Sequence, residues 1–467
     1  MASKVCFRAE AGPEIGLGHL LRCLSLSNHL RGVFEIKFLL NTQTKSILQS
    51  IAPETDESSI VVLDDKRDAT VQTKELCKQG DILVLDGYQF GPDDVRNFKS
   101  AGITVIFIDD LICKQIGADV IINHCGGISP VEFETDPLTV FCLGPEYAML
   151  RPSFLVRPET ETIYDVLIGF GGADPSDYTR QTLSKLPENI KVAVLAGPAY
   201  AYVEELEALA KTRKGMTLFR NLDPESLVKV MAESKNAILS ASVISFEFLA
   251  VSHGSLYVIQ TVNNQARMFQ YLTSAGIARP FEGVLDRNFN SQQIVDGNSA
   301  KRLRAVFQSI AIERAANVRR AEAKDMMTVF DWVNDPDVRQ QSYHSEPIER
   351  DVHKRWYKAA IKDPNMCYFL IEHAGKLVAQ IRFNIEGDAA IINYLVDPEH
   401  RSKGWGDRVL RLGIRQALLD NAQVNTIKGY VKQGNHASFN SFIKCNFVES
   451  ATNEYPESVL FTLKIQR

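Results

Sequence analysis

The chain has 467 residues, 45% of them hydrophobic and 23% charged, which excludes an intrinsically disordered chain and exceeds a single compact core of ~150 residues. Lys and Arg total 52 against 57 Asp and Glu, a formal net charge of -5, so the basic excess that neutralises many phosphates is missing and nucleic acid is not expected as a partner. The eight cysteines are scattered, with no C-x-x-C pair and no Cys/His cluster at zinc spacing, which predicts reduced, mostly core thiols and no metal.

At the N-terminus Lys4, Arg8, Glu10 and Glu14 interrupt the stretch where a secretion signal needs unbroken apolar residues. The apolar runs fall far short of the ~20 residues that span a bilayer, so a cytoplasmic protein without a membrane partner is expected. Up to about residue 150, β-branched runs alternate with helical segments: VCFRA then 20–30, EIKFLL then 44–51, ILVLDGY then 92–101, and TVIFIDD. Runs of this kind separated by helices predict parallel strands buried on both faces, hence a doubly wound α/β domain. After the proline-spaced connector 151–158 the pattern restarts with YDVLIGF, KVAVLAG, NAILSAS and SLYVIQT, each followed by a helix. Two such domains in tandem would meet at a cleft.

Beyond residues 308–319 the style changes, and Trp332, Trp356 and Trp405 all lie there. NMCYFLIEH, KLVAQIRFNIE and AAIINYLVDP, separated by Gly375 and Gly387, predict an antiparallel meander flanked by helices. The expected organisation is an N-terminal Rossmann-like domain over 1–155, a second over 156–300, a linker helix over 301–315 and an α+β domain over 316–467.

Gly16-Leu17-Gly18-His19 follows the first strand and opens a helix, where small residues allow close approach and free N–H groups favour anions. Leu21 stands where a dinucleotide fingerprint needs a third glycine, and no phosphate-loop lysine is present, so NAD and ATP hydrolysis lose support. His19 falls at the carboxyl end of the first strand, where open α/β sheets bind ligands. For Asp109 and Asp110 a strand-end turn is expected rather than a metal site, because adjacent side chains on an extended chain point to opposite faces.

An ordered series of motifs carries a resemblance. Phe7-Arg8-Ala9, Gly16-Leu17-Gly18-His19-Leu20-Leu21-Arg22, Leu85-Asp86-Gly87-Tyr88, Ile108-Asp109-Asp110, Leu143-Gly144-Pro145-Glu146-Tyr147-Ala148-Met149-Leu150-Arg151-Pro152 and Phe170-Gly171-Gly172-Ala173-Asp174-Pro175 resemble the UDP-sugar hydrolases of pseudaminic acid biosynthesis over the first two-thirds of the chain. The resemblance implies a glycosyltransferase-B-like pair of Rossmann-type domains closing on a UDP-amino-sugar. It implies His19 as the base that takes a proton from the attacking water, a task suited to imidazole. It further implies substrate contacts at Gly16, Gly18, Arg22, Asp86, Tyr88, Gly171 and Gly172, with the strand-to-helix turn at Ser242 and Ser245 receiving the diphosphate. Glu247 would accept from the ribose hydroxyls, and Asn264 and Gln265 would reach the sugar or phosphate side.

Further on, Arg401-x-x-Gly404-x-Gly406 links a strand to an amphipathic helix over 407–419 and resembles the pyrophosphate loop of the GNAT acetyltransferases. The resemblance covers nearly all of 316–467 and implies acetyl-CoA as co-substrate. Its implied contacts are Leu395, Val396, Arg401, Lys403, Gly404, Trp405, Gly406, Asp407, Asn435 and Ser438, with Arg401 adding charge. Phe442 stands where many members place the tyrosine that protonates the leaving thiolate, with water, Tyr394, Tyr430 or another hydroxyl as substitutes or turnover lost, and Asn393 stands where a carboxylate base is frequent. The expected function is bifunctional: acetyl transfer to a UDP-4-amino-sugar, then hydrolysis releasing UDP. The alternatives are a glycosyltransferase fused to an acetyltransferase, and a non-catalytic nucleotide-sugar and CoA-binding scaffold.

Overall fold

The computed structural model describes residues 4–12, 15–197, 199–455 and 457–465. Two compact units emerge, one from the residues up to Glu134 together with Phe141–Ala305, the other from Thr135–Val140 together with Val306 onward.

The first unit holds two sheets. In one, β1 (Lys4–Ala9), β2 (Glu35–Leu40), β3 (Ile60–Val62), β4 (Ile82–Asp86), β5 (Thr104–Ile108), β6 (Val120–Asn123) and β7 (Val140–Leu143) take the order β3-β2-β1-β4-β5-β6-β7, with β1 to β6 pairing in parallel. ILVLD of β4 and TVIFI of β5 are buried throughout, as continuous apolar strands covered on both faces must be. In the other, β8 (Val166–Gly169), β9 (Val192–Ala196), β10 (Met216–Arg220), β11 (Asn236–Ser240), β12 (Ser255–Ile259) and β13 (Arg279–Pro280) take the order β10-β9-β8-β11-β12-β13, again parallel. Both orders reverse direction beside their first strand. That reversal places a crevice at the carboxyl ends of β1 and β4, and another at those of β8 and β11.

The second unit is built on one sheet, β14 (Asn317–Arg320), β15 (Met366–His373), β16 (Lys376–Glu386), β17 (Ala389–Val396), β18 (Thr426–Lys432), β19 (Val448–Ala451) and β20 (Ser458–Lys464), in the order β14-β15-β16-β17-β18-β20-β19. β14 to β17 form the expected antiparallel meander. β17 and β18 instead run parallel, and their register covers only Ala389↔Thr426 to Ile391↔Lys428. Beyond that point the strands diverge, and the backbone groups over 392–396 and 429–432 face a gap. One face of the sheet packs Ile381, Phe383 and Val409 together, against the helix Trp405–Asp420. Tyr368, Leu370 and Leu395 pack on the other face with Val329, Trp332 and Tyr357 of the helices Met326–Val333 and Arg350–Ala360.

The helix expected over 301–315 spans Ser299–Ala315, and its later part enters the second unit through buried Glu313, which pairs with Arg411 at 2.9 Å and with Arg415. Thr135–Val140 leaves the first unit's chain path to place Leu138 in the second unit's core, where Asn446 donates to the carbonyls of Pro137 and Thr139. All eight cysteines are free thiols, seven of them buried. Among the described residues no helix is long and apolar enough to cross a membrane.

Candidate functional site

In the first sheet, the crevice between the ends of β1 and β4 is spanned by two side chains. His19 comes from the first turn of the helix Gly18–Leu30, and Asp86 is the last residue of β4. His19 Nδ1 lies 2.6 Å from Asp86 Oδ1. Asp86 is fully buried and receives Arg22 through Nε at 3.1 Å and Nη2 at 2.7 Å, so it stands as a carboxylate that only accepts. On the tautomer in which Nδ1 donates to Asp86, Nε2 carries the lone pair for an incoming proton. Arg22 Nη2 also comes within 2.9 Å of Nδ1, which on this tautomer is a close contact rather than a hydrogen bond.

Arg22 reaches a second carboxylate through Nη1, that of Asp110. Burial would raise the Asp110 carboxyl, but Arg22 outweighs that and holds it below the usual carboxylate value. Tyr88 stands edge-on to the His19 ring at 4.8 Å, donates to Asp110 at 3.3 Å and accepts from Asn264 Nδ2 at 2.9 Å. The two sheets of the first unit thus share one polar cluster. Gly16 and Gly18 are exposed beside it, and the helix start at Leu17 has no side-chain cap and no acidic residue in its first turn, which leaves its N–H groups open to an anion.

At the second crevice, Gly171 and Gly172 are exposed after β8, and Asp174 anchors their loop by accepting from the backbone of Tyr178 and Thr179. Ser242 heads the helix Val243–Val251 without capping it, its hydroxyl 3.0 Å from that of Ser240. Ser245 is fully buried and donates to the Ser240 carbonyl at 2.8 Å, so it holds the turn rather than facing a ligand. Glu247 receives Arg151 through both oxygens, at 2.8 and 2.9 Å, and a ribose hydroxyl would share that carboxylate with Arg151. Gln265 likewise serves its own loop, accepting from the N–H and hydroxyl of Thr261 at 2.9 and 3.1 Å.

The second unit encloses a cavity of about 1140 Å³ where β17 and β18 diverge. Leu395, Val396, Gly404, Trp405, Gly406, Asp407, Asn435 and Ser438 line it, whereas Lys403 stays outside the lining. Gly404 caps the helix Trp405–Asp420 at φ +73°, a left-handed conformation that glycine takes without steric cost. Asn435 caps the helix His436–Lys444 by accepting from Ser438 N at 3.1 Å. Arg401 also lines the cavity, and its guanidinium holds Asp335 at 2.7 Å and Asp337 at 2.9 Å. Asp407 is paired with Arg411. Phe442 is buried against Phe461 and Phe447, while the Tyr394 hydroxyl, raised in pKa by burial, donates to Ser438 Oγ at 3.2 Å beside the cavity. The Tyr430 hydroxyl is taken by Glu454.

The sequence places Asp110 only in a strand-end turn and does not single out His124. Asp109 makes the strand-end turn, accepting from the N–H groups of Leu111 and Cys113, but Asp110 belongs to the Arg22 cluster. His124 follows β6, is 6% exposed, and has no partner for Nδ1; burial, aided by Arg22, pushes its pKa down to about 4. His29 is also buried, and burial sets its pKa at about 4. Both histidines bind protons more weakly in the folded than in the unfolded chain. Their neutral forms are fully accommodated above pH ~6.5, and stability falls as pH drops from there towards 4, by up to about 1.4 kcal/mol per pH unit for each. Urea midpoints measured from pH 7 to 4.5 are expected to decline, and His124→Leu to flatten the decline; an unchanged slope in the variant would contradict the assignment. Among the described residues no three His, Cys, Asp or Glu side chains gather as a metal-binding group.

Residues 327–447 match the acetyltransferase (GNAT) family. The chain is 26% identical over 286 residues to the UDP-2,4-diacetamido-2,4,6-trideoxy-beta-L-altropyranose hydrolase of Campylobacter jejuni, covering 58% of this chain and 97% of that protein. It is also 26% identical over 265 residues to an uncharacterized protein of Methanocaldococcus jannaschii, where the match spans about half of each chain, 53%. A solved spermidine N-acetyltransferase from Vibrio cholerae, in complex with CoA and spermine, covers 32% of this chain and 96% of its own, at 18% identity and TM-score 0.30. The chain therefore joins a region similar to a nucleotide-sugar hydrolase to a C-terminal acetyltransferase domain of the GNAT family.

Proposed function

We propose that the chain N-acetylates the 4-amino group of a UDP-4-amino-4,6-dideoxy-N-acetyl-altrosamine-type sugar with acetyl-CoA. It then cleaves the C1–O bond to release UDP and 2,4-diacetamido-2,4,6-trideoxy-L-altrose. The observation that carries the hydrolytic half is the His19–Asp86 pair across the β1/β4 crevice, in a region similar to the Campylobacter hydrolase. The two parallel sheets act as a glycosyltransferase-B-like pair, with the UDP-sugar between their crevices. Water attacks C1, its proton passes to His19 Nε2, and the C1–O electron pair leaves with UDP. Asp86 stabilises the imidazolium that forms. The uncapped helix starts at Leu17 and Ser242 face the leaving diphosphate.

In the acetyltransferase half, Gly404 and the helix start after it fit a diphosphate, and the gap between β17 and β18 offers backbone groups to the chain that follows it. Acetyl-CoA supplies an activated acyl group. Tyr394, protonated and beside Ser438, gives its proton to the leaving thiolate in the place that Phe442 cannot fill. Tyr394→Phe is expected to slow CoA release roughly 10²-fold with little change in KM for acetyl-CoA; an undiminished rate would assign the proton elsewhere. The proposal as a whole is tested by supplying the diacetylated UDP-sugar in water without any acceptor sugar. UDP release is expected, and a requirement for an added acceptor would replace hydrolysis with glycosyl transfer.

A further inference from the structure

Several arginines of the second unit are paired with acid. Arg319 holds Asp325 and Glu372, Arg401 holds Asp335 and Asp337, and Arg411 and Arg415 share Glu313. Among the cations lining the cavity, exposed Lys444 aside, three have no carboxylate partner among the described residues. Arg382, on β16, lies over the Trp356 ring at 4.6 Å, and among the described residues its guanidinium has no hydrogen bond and no ion pair. Arg339 donates to the carbonyls of His344 and Glu346 and to Ser342 Oγ, but to no carboxylate, and its Nε is buried without a partner. Lys432 donates to the carbonyls of Gln340 and Ser342 at 3.1 and 2.7 Å. The cavity's acidic lining does not offset them. Asp337 and Asp407 are already paired with arginines, and Glu346 is exposed.

A half-buried guanidinium stays charged, and leaving it without a counter-ion costs free energy that an anion would return. Burial alone lowers the Arg382 pKa, and no carboxylate raises it back. Its place in the sheet separates it from the donor site. Stacking on Trp356 puts Arg382 on the face that carries the helix Arg350–Ala360, whereas the Gly404–Gly406 turn begins the helix packed on the opposite face. Two anion-attracting regions thus open into one cavity from different sides of the sheet.

We propose that Arg382, with Arg339 and Lys432, binds a phosphate group of the acetyl acceptor. This rests on the acetyltransferase reading above and deepens it: the unit selects an amine that still carries its diphosphate. A polycationic amine is repelled there, and an amino sugar already freed of UDP lacks the group the site holds.

The test measures initial CoA release by the full chain with three amines: the UDP-linked 4-amino sugar, the same sugar without UDP, and spermidine. Wild type is compared with Arg382→Ala and Arg382→Lys. The UDP-linked amine is expected to be preferred by tenfold or more in kcat/KM, roughly the contribution of one charged hydrogen-bonded contact. Arg382→Ala should raise its KM by a similar factor while KM for acetyl-CoA stays within about twofold, which also reports that the variant is folded. Arg382→Lys should recover part of the loss. Equal use of the free and UDP-linked sugars, unaffected by Arg382→Ala, would overturn the subsite and leave acetyl transfer standing. A raised KM for acetyl-CoA instead would assign the cations to the donor and overturn it too. No CoA release from any of the amines would remove the acetyltransferase reading and the subsite together.

Discussion

His19→Asn is expected to reduce UDP release by roughly 10²- to 10⁴-fold, the usual worth of a positioned general base, while CoA release continues at the wild-type rate. Asparagine keeps a donor for Asp86 and much of the imidazole's volume, so the loss reports the missing base rather than a disturbed helix. Asp86→Asn should lose activity by a similar factor for another reason. A carboxamide can donate to Nδ1, which would move the imidazole proton to Nε2 and remove the lone pair that receives water's proton. That variant also leaves Arg22 with Asp110 alone, so its stability should fall, whereas that of His19→Asn should not. Residual hydrolysis near the wild-type rate in His19→Asn would take the base away from this histidine.

Gly404→Asp is expected to produce the mirror image: CoA release falls at least tenfold, and hydrolysis of a chemically acetylated UDP-sugar is retained. Two causes act in the same direction. At φ +73° any side chain adds backbone strain of about 1 kcal/mol, and a carboxylate at the helix start competes for the N–H groups that fit a diphosphate. The added Cβ would lie 3.4 Å from Arg408 Nη2, so the new acid also has a neighbour to hold it in place. Gly404→Ala carries the strain without the charge and should lose less. If both variants lose activity equally, conformation rather than anion competition governs the turn.

The hydrolase-like site was partly legible because its residues sit where strands end. The Gly16–Gly18 loop and His19 follow an unmistakable apolar strand, and the Asp86–Tyr88 stretch closes another. Asp110 and His124 follow strands in the same way, but their approach to Arg22 depends on the order β1-β4-β5-β6, which periodicity does not encode. Short or half-exposed edge strands escaped the pattern too: β3 has three residues, and MTLFR of β10 lacks a continuous buried run. In the second unit the meander and the Gly404 turn were legible from turn residues. Arg382 was not, because a lone arginine in KLVAQIRFNIE resembles a solvent-facing strand position until Trp356 is seen beneath it. At Arg401 the sequence did not show the ion pairs. Its spacing matched a phosphate loop, but Asp335 and Asp337, more than sixty residues earlier, fold back to neutralise it. On a chain of net charge -5, the proposed attraction for two diphosphates rests on the uncapped helix starts and on Arg382, Arg339 and Lys432.

Whether one chain acetylates a UDP-amino-sugar and then removes UDP is read from a single time course. Wild-type protein, acetyl-CoA and the UDP-linked 4-amino sugar are mixed, and the products are followed by mass. The acetylated UDP-sugar is expected to rise first and then decline as the free diacetamido sugar and UDP appear, and to accumulate without decline in His19→Asn. Release of UDP from the unacetylated sugar at a comparable rate, or an acetylated UDP-sugar that wild type never consumes, would contradict this sequence of reactions.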